Sequence, residues 1–310
     1  MISILSLNPS IDKFFTVENL TCGSTNYVRN VRLCAGGKGI NSAVAAVKLG
    51  AQAELVGFCA FTPGIIEQKL ESENVGYELI PAFEEIRENI KITDPASSRI
   101  TEINQTGCIR NLEAVDNILS LCVDIAHRSS YFIMAGSVPK GCPDSIYREI
   151  MMDIASHGLP CRCVIDSSNM PLKLALKARP YMIKPNRQEL EQLVGRKLPS
   201  LHDVEQAAVS LAGVNAEVVL VSMGCDGALL TTSEHVYYAP ALVCTVASEV
   251  GAGDSMLAAM VAALDAGMDL LSAFRSSMAA SAASVASCDG GLSDMGLYHE
   301  FLDQVRIEQR

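Results

Sequence analysis

The chain has 310 residues, 49% of them hydrophobic, and a formal net charge of −11. That is length enough for one large domain with a small appendage. The acidic balance argues against a general nucleic-acid or anionic-membrane binder, while leaving room for a locally basic cleft. Met1–Leu7 lacks a basic leader and runs straight into Asn8-Pro9, so Ile2–Leu7 reads as a first strand and not as a signal peptide. No apolar run reaches membrane-spanning length, and the expected setting is the cytoplasm. Asp12 sits at the end of this strand, where doubly wound sheets bind ligands, and its carboxylate can accept hydrogen bonds from hydroxyls.

Next comes an extended, polar-alternating stretch, Lys13–Leu33, which turns at Thr21-Cys22-Gly23-Ser24 and carries Arg29. Ala35-Gly36-Gly37-Lys38-Gly39-Ile40-Asn41 then leads into a helix over Ile40–Leu49. It is not a P-loop, because no Ser or Thr follows the lysine, and it lacks the third glycine of a dinucleotide fingerprint. A glycine turn at a helix N-terminus with one cation and one amide suits a ligand bearing hydroxyls and negative charge. Solvated Lys38 and a turn-capping Asp12 are the plainer alternatives.

After a buried strand at Ala53–Phe58, a second extended stretch, Glu84–Ile103, turns at Asp94-Pro95-Ala96-Ser97. Alternation puts Arg87, Asn89 and Lys91 on one face. Arginine grips phosphate bidentately, so an arginine here facing a cleft selects a substrate that already bears phosphate. An exposed arginine on an edge strand is the other reading. The two excursions, about 12–34 and 84–108, are expected to pair as a small antiparallel sheet, a lid over the cleft.

Strand candidates Tyr131–Ala135, Cys163–Asp166, Tyr181–Lys184 and Val218–Ser222 alternate with helical stretches Pro143–Ser156, Arg187–Val194 and Val204–Ala212. The expected fold is α/β, a mostly parallel sheet covered on both faces. The eleven cysteines are scattered and odd in number, which fits no disulfide framework, and Cys161-x-Cys163 reads as buried strand. Lys184-Pro185-Asn186-Arg187-Gln188-Glu189 opens a helix straight after a strand. Asn186 and Glu189 share a helical face, where they can hold the water shell of a Mg²⁺ ion carrying nucleotide phosphates. They also form a capping box, and the two roles are compatible.

The glycines of Ser222-Met223-Gly224-Cys225-Asp226-Gly227 let a nucleotide lie close to the backbone. An extended segment, Leu242–Val246, precedes Gly251-Ala252-Gly253-Asp254, which opens a helix of small residues at Ser255–Leu264. That order aims unpaired backbone N–H groups at an anion and sets Asp254 beside it as a proton acceptor. The bland alternative is a strand-to-helix turn capped by Asp254. Further on, Ala279–Ser284 offers either a flat slot for a base or close helix packing.

In this order the motifs resemble the ribokinase-like (PfkB) carbohydrate kinases over essentially the whole chain. Gly36–Asn41 is similar to the N-terminal signature of that family, Gly251–Asp254 to its C-terminal one, and Asn186-x-x-Glu189 to its magnesium motif. Gly136-Ser137-Val138-Pro139 is similar to a further turn in its members. The resemblance implies a single three-layer α/β/α kinase domain over 1–310 with a β lid, and MgATP as phosphoryl donor. It makes Asp254 the base, kept weak by the helix dipole, and Gly251, Ala252 and Gly253 the anion hole. It places Asp12, Gly37, Lys38, Asn41, Arg87, Asn89 and Arg29 on the sugar. Lys184, Asn186, Ser222, Gly224, Gly227, Ala280 and Ser284 fall to the nucleotide, with Mg²⁺ at Asn186 and Glu189.

Within the family the likeness is to bacterial 1-phosphofructokinases, through Asn8-Pro9 with Asp12, Thr101–Asn104, Lys184–Leu190 and Gly195–Pro199, while Arg87-x-Asn89 is similar to the phosphate-clamping arginine of the phosphosugar kinases. Tagatose-6-phosphate kinases and 6-phosphofructokinases share many of these residues. A non-catalytic protein that binds sugar phosphate or nucleotide is the reading from another class. Glu249 stands where threonine is common, and Cys108 where proline is expected. Pairing of lids into a homodimer is a further implication of the resemblance.

Overall fold

The computed structural model of the chain describes all residues except 63, 98 and 288–290. β1 (Ile2–Ser6) is buried along its whole length, as a strand covered on both faces must be. Its side chains feed two cores: Ile2 and Ile4 join one, and Leu5, with Leu7 just beyond, joins the other. There follow β2 (Ser10–Thr16), β3 (Asn30–Gly36), α1 (Lys38–Lys48), β4 (Ala53–Ala60), α2 (Ile65–Ser72), β5 (Gly76–Phe83), β6 (Arg87–Asp94) and β7 (Arg99–Asn104). The chain then alternates α3 (Glu113–Ala126), β8 (Tyr131–Ala135), α4 (Ile146–Ser156), β9 (Arg162–Asp166), α5 (Asn169–Ala175) and β10 (Met182–Ile183). Next come α6 (Arg187–Val194), α7 (Leu201–Leu211), β11 (Val218–Ser222), β12 (Ala228–Thr231) and β13 (Val236–Ala239). The last elements are α8 (Ala252–Asp265), α9 (Leu270–Ala286), α10 (Met295–Gln304) and β14 (Glu308–Gln309).

Among the described residues, ten strands form one sheet in the order β14-β13-β12-β11-β10-β9-β8-β1-β4-β5. Neighbours from β11 to β5 are parallel, and β12, β13 and β14 add an antiparallel edge. The chain builds outward from β1 to β5, then restarts at β8 on the other side of β1. Strand order therefore reverses between β1 and β8, and sheets of this kind bind ligands beyond the carboxyl ends of the strands at such a point. One core packs α1, α8, α9 and α10 against the sheet, and the other packs α3 to α7. Leu257, Ala258, Ala259, Met260 and Val261 are all shut off from solvent. A helix apolar on every side, as α8 is, sits inside a domain.

A separate four-stranded sheet runs β3-β2-β6-β7. Its outer pairs are antiparallel, but β2 and β6 pair in parallel, where an all-antiparallel sheet was expected. The cause is the point of departure: β2 leaves the carboxyl end of β1 and β6 that of β5, two strands pointing the same way. Two further expectations shrink. Tyr181–Lys184 yields only Met182–Ile183 as strand, and Leu242–Val246 enters no ladder among the described residues. Cys161 and Cys163 are buried, and burial pushes the Cys161 thiol up to about 12. No helix among the described residues is long and apolar enough to cross a membrane.

Candidate active site

The carboxyl ends of β1, β8 and β9 meet the N-termini of α1 and α8 in one crevice. Gly251 precedes α8 with φ +80°, a left-handed conformation that a side chain would strain. Asp254, in the first turn of α8, is 7% exposed, and its Oδ2 accepts from Asn41 Nδ2 at 2.7 Å. A Cβ at Gly253 would lie 3.2 Å from Lys184 Nζ. A helix N-terminus, whose Ala252 N–H is held only at 3.4 Å by the Glu249 carbonyl, and an ammonium thus face one spot, which suits a phosphoryl group in transfer.

Beneath that spot lies Asp166, a residue absent from the sequence-based set. It is fully buried at the end of β9 and binds Lys38 Nζ through Oδ1 at 2.7 Å and Lys184 Nζ through Oδ2 at 3.2 Å. The available signal was a carboxylate at the carboxyl end of an apolar strand, the same signal that picked Asp12. Burial opposes ionisation of Asp166, but Lys184 and Lys38 outweigh it and hold its carboxyl below the usual range. Lys38 loses by burial as well, yet Asp166, Glu189 and Asp254 hold it charged, above the ordinary lysine range. Asp254 moves the other way: burial, then repulsion from Asp166, raises it above an ordinary carboxylate. Burial and a neighbouring negative charge thus make Asp254 a stronger base than an ordinary carboxylate, where the helix dipole was expected to keep it weak.

On the opposite wall, Asp12 is 5% exposed. Ser10 Oγ and Asn89 Nδ2 donate to its Oδ1 at 2.8 and 3.0 Å, and Lys91 Nζ meets Oδ2 at 2.8 Å. The register puts Asn89 opposite Asp12 and Lys91 opposite Phe14, so Arg87, Asn89 and Lys91 share the inner face. Gly36 must be glycine, since a Cβ there would stand 2.5 Å from the Asp12 carboxyl carbon. A cavity of about 180 Å³ is lined by Asn8, Lys38, Arg87, Gly136, Ser137 and Glu189 among others. A second, of about 310 Å³, runs beneath the small sheet past Asp12, Gly36 and Asn41. Gly37, at φ +115°, turns the chain into α1 between them.

Several expected site residues are placed differently. Arg29 is exposed and paired with Glu18. It lies beside Asn30, six register steps from Gly36, roughly 20 Å at strand rise, so its own cleft is out of reach. Ala280 and Ser284 are wholly buried within α9. Their small side chains serve helix packing, and no base slot opens there. A Cβ at Gly227 would meet Ala239 O at 2.0 Å, so this glycine admits its own backbone and no ligand. Lys38, expected on the sugar, spends its charge on Asp166, with Glu189 Oε1 3.5 Å away. Gly224 is open, and Ser222 bridges to Asn186 at the ends of β11 and β10. Asn186 and Glu189 make the capping box, each side chain accepting the other's backbone N–H at 2.8 Å. Glu249 and Cys108 are both exposed.

Fold and site together define a sugar kinase, a phosphotransferase with an alcohol as acceptor. The chain belongs to the pfkB family of carbohydrate kinases, whose profile matches residues 4–294. A 1-phosphofructokinase from Borreliella burgdorferi is 32% identical over 99% of this chain and 98% of its own length. One from Bacillus subtilis is 30% identical over 99% of both. The structure of phosphofructokinase-2 from Escherichia coli superposes with a TM-score of 0.88 at 26% identity, covering 98% of each chain. Arabidopsis thaliana ribokinase shares the fold, with a TM-score of 0.77 at 19% identity over 97% of this chain and 98% of that one.

Proposed function

We propose that the protein transfers the γ-phosphoryl group of ATP to the 6-hydroxyl of fructose 1-phosphate, giving fructose 1,6-bisphosphate. The observation that carries this reading is the first turn of α1. Lys38 lines the cavity that holds Arg87, while Asn41, one turn on, donates to Asp254. A ketohexose lying across that turn reaches the arginine with its phosphate and the carboxylate with its far hydroxyl. The names of the full-length relatives support the choice of fructose 1-phosphate.

In this reading 1–310 is a single kinase domain, and the segments 12–34 and 84–108 form a lid that keeps water from competing as acceptor. Asp254 takes the hydroxyl proton, and the amides of Gly251–Gly253 with Lys184 stabilise the transferring group. Asp12, Gly37, Asn41 and Asn89 hold the sugar. Ser222, Gly224 and Asn186 border the nucleotide. The residues fit a hydrated Mg²⁺: Glu189 commits Oε2 to its cap, its Oε1 stands at the longer distance of 3.5 Å from Lys38 Nζ and could accept from a water of the ion, and this ion prefers to retain its waters. Bound there, Mg²⁺ would neutralise charge on the nucleotide phosphates.

The test compares kcat/KM for fructose 1-phosphate, fructose 6-phosphate, tagatose 6-phosphate and fructose, with MgATP as donor. Fructose 1-phosphate is expected to lead. A lead for either 6-phosphate would move the protein to another activity of the same family, and silence on all four would leave a binding protein. Arg87→Ala is expected to lower kcat/KM for fructose 1-phosphate by about a hundredfold, the size of a lost charge-assisted pair, with little change in KM for ATP. Equal losses on both substrates would refute the clamp.

The outer face of the small sheet also supports self-association. Val31, Leu33 and Ile103 are each at least half exposed there and alternate onto the same side as Phe15 and Ile90. We propose that two copies cover this face. Light scattering is expected to give a dimer that Val31→Asp with Leu33→Asp converts to monomer, and a monomeric parent protein would dismiss the idea.

A further inference from the structure

We infer that Asn8 is the positioning residue of the phosphate clamp, holding the Ser137 hydroxyl and the Arg87 guanidinium in place for the phosphate that the acceptor already carries. The inference rests on the phosphosugar reading above and deepens it. Asn8 stands two residues beyond the end of β1, and Ser137 two residues beyond the end of β8. Because Ser6 pairs with Ala135, the two come level where the strand order reverses. Asn8 Nδ2 donates to Ser137 Oγ at 2.9 Å. That bond makes the Ser137 oxygen an acceptor from the protein and leaves its own proton to be donated into the cavity both residues line.

The same residue holds the arginine. The main-chain carbonyl of Asn8 accepts from Arg87 Nε at 3.1 Å, while Nη1 is taken by Asn89 Oδ1 and the Gln105 main-chain carbonyl at 3.0 and 3.2 Å. No described residue accepts from Nη2 of Arg87. Two donors therefore remain for an anion, Nη2 of Arg87 and the hydroxyl of Ser137; the side chain of Asn8 sets the hydroxyl, and its main-chain carbonyl, which side-chain variants keep, steadies the arginine.

The asparagine is 8% exposed, and its Oδ1 has no partner. A Cβ at Gly107 would come within 2.0 Å of that oxygen, so the chain returning from the small sheet closes on it only as glycine. A buried acceptor without a donor is unfavourable, and a residue kept for packing alone would not carry one. The amide is held for what its nitrogen does. Asn8 thus links Arg87 on the small sheet to Ser137 on the body.

The experiment is steady-state kinetics of the full chain on fructose 1-phosphate, fructose and ATP. The variants are Asn8→Ala, Ser137→Ala, the two combined, and Asn8→Asp. Asn8→Ala is expected to raise KM for fructose 1-phosphate about ten- to a hundredfold, as for a lost bond to a charged group. KM for ATP and kcat/KM for fructose should stay close to the parent values. The double variant should lose no more than the worse single one, because both remove the same path. Asn8→Asp should lose more than Asn8→Ala, since its carboxylate would accept the Ser137 proton and repel the phosphate.

Equal rises in both KM values, an additive double variant, or an Asn8→Asp enzyme matching its parent would each overturn the inference. Should Asn8→Ala fail to fold, the same KM split must appear in Ser137→Ala and Asn8→Asp, and its absence from both overturns it. A parent enzyme that does not favour fructose 1-phosphate over fructose removes the phosphosugar reading and this inference together. A parent that does so beside an unaffected Asn8→Ala removes the inference alone.

Discussion

Asp254→Asn is expected to cut kcat by roughly two to four powers of ten, the usual size of a general-base effect, with KM for ATP little changed. The carboxylate is buried, repelled by Asp166 and raised above its ordinary value, while Asn41 and the lysines pull it back down. Only the ionised form accepts a proton, so the rate should fall as pH drops through that raised value, in a window above the ordinary carboxylate near 3.9. Asn41→Ala removes a bond that favours the ionised form and should move the acid limb further up. Stability has the opposite sign. A folded-state pKa above the unfolded one means that the ionised group weakens the fold as pH rises through the folded value. Asp254→Asn should therefore melt no lower than the parent at neutral pH. Near-normal turnover would remove Asp254 from the mechanism, and a lower melting temperature would mean that the loss reflects a damaged fold.

The second large effect is on stability. Asp166→Ala leaves Lys184, which is 4% exposed, and Lys38 without the carboxylate that lies between them. Removing one partner of a buried pair typically destabilises by about 3–5 kcal/mol, which corresponds to a fall in Tm on the order of 10 °C. Turnover should fall too, because Lys184 loses the anchor that holds it over Gly253. Asp166 has a depressed folded-state pKa, so its contribution is complete above the ordinary carboxylate range and is lost as pH falls through the folded value. An unchanged melting temperature in thermal unfolding of Asp166→Ala would show that the lysines find water instead.

Much of this was legible because the relevant residues carry their meaning locally. An apolar run such as Tyr131–Ala135 can only be a strand covered on both faces. Gly251-Ala252-Gly253-Asp254 combines a left-handed turn, a helix start and a carboxylate within four residues. Arg87, Asn89 and Lys91 share a face by alternation alone. What stayed hidden depends on pairings distant in sequence. Asp166 looks like any strand-end carboxylate until two lysines converge on it. Arg29 could not be placed along its hairpin relative to the cleft. Ala280 and Ser284 have side chains small enough for either a ligand slot or a helix contact, and only burial decides. The parallel pairing of β2 with β6 needs the direction in which β1 and β5 point.

The burial of α8 on every side bears on how such an enzyme can change. Its N-terminal amides and Asp254 are braced by neighbours on all flanks, so drift there would disturb the packing of the whole interior. The residues proposed to hold the acceptor stand largely on the small sheet, most of which lies outside the two cores, where replacements disturb less of the packing. Selection can thus revise which sugar is accepted while the apparatus for moving phosphate stays as it is. The two halves of the site are free to evolve at different speeds.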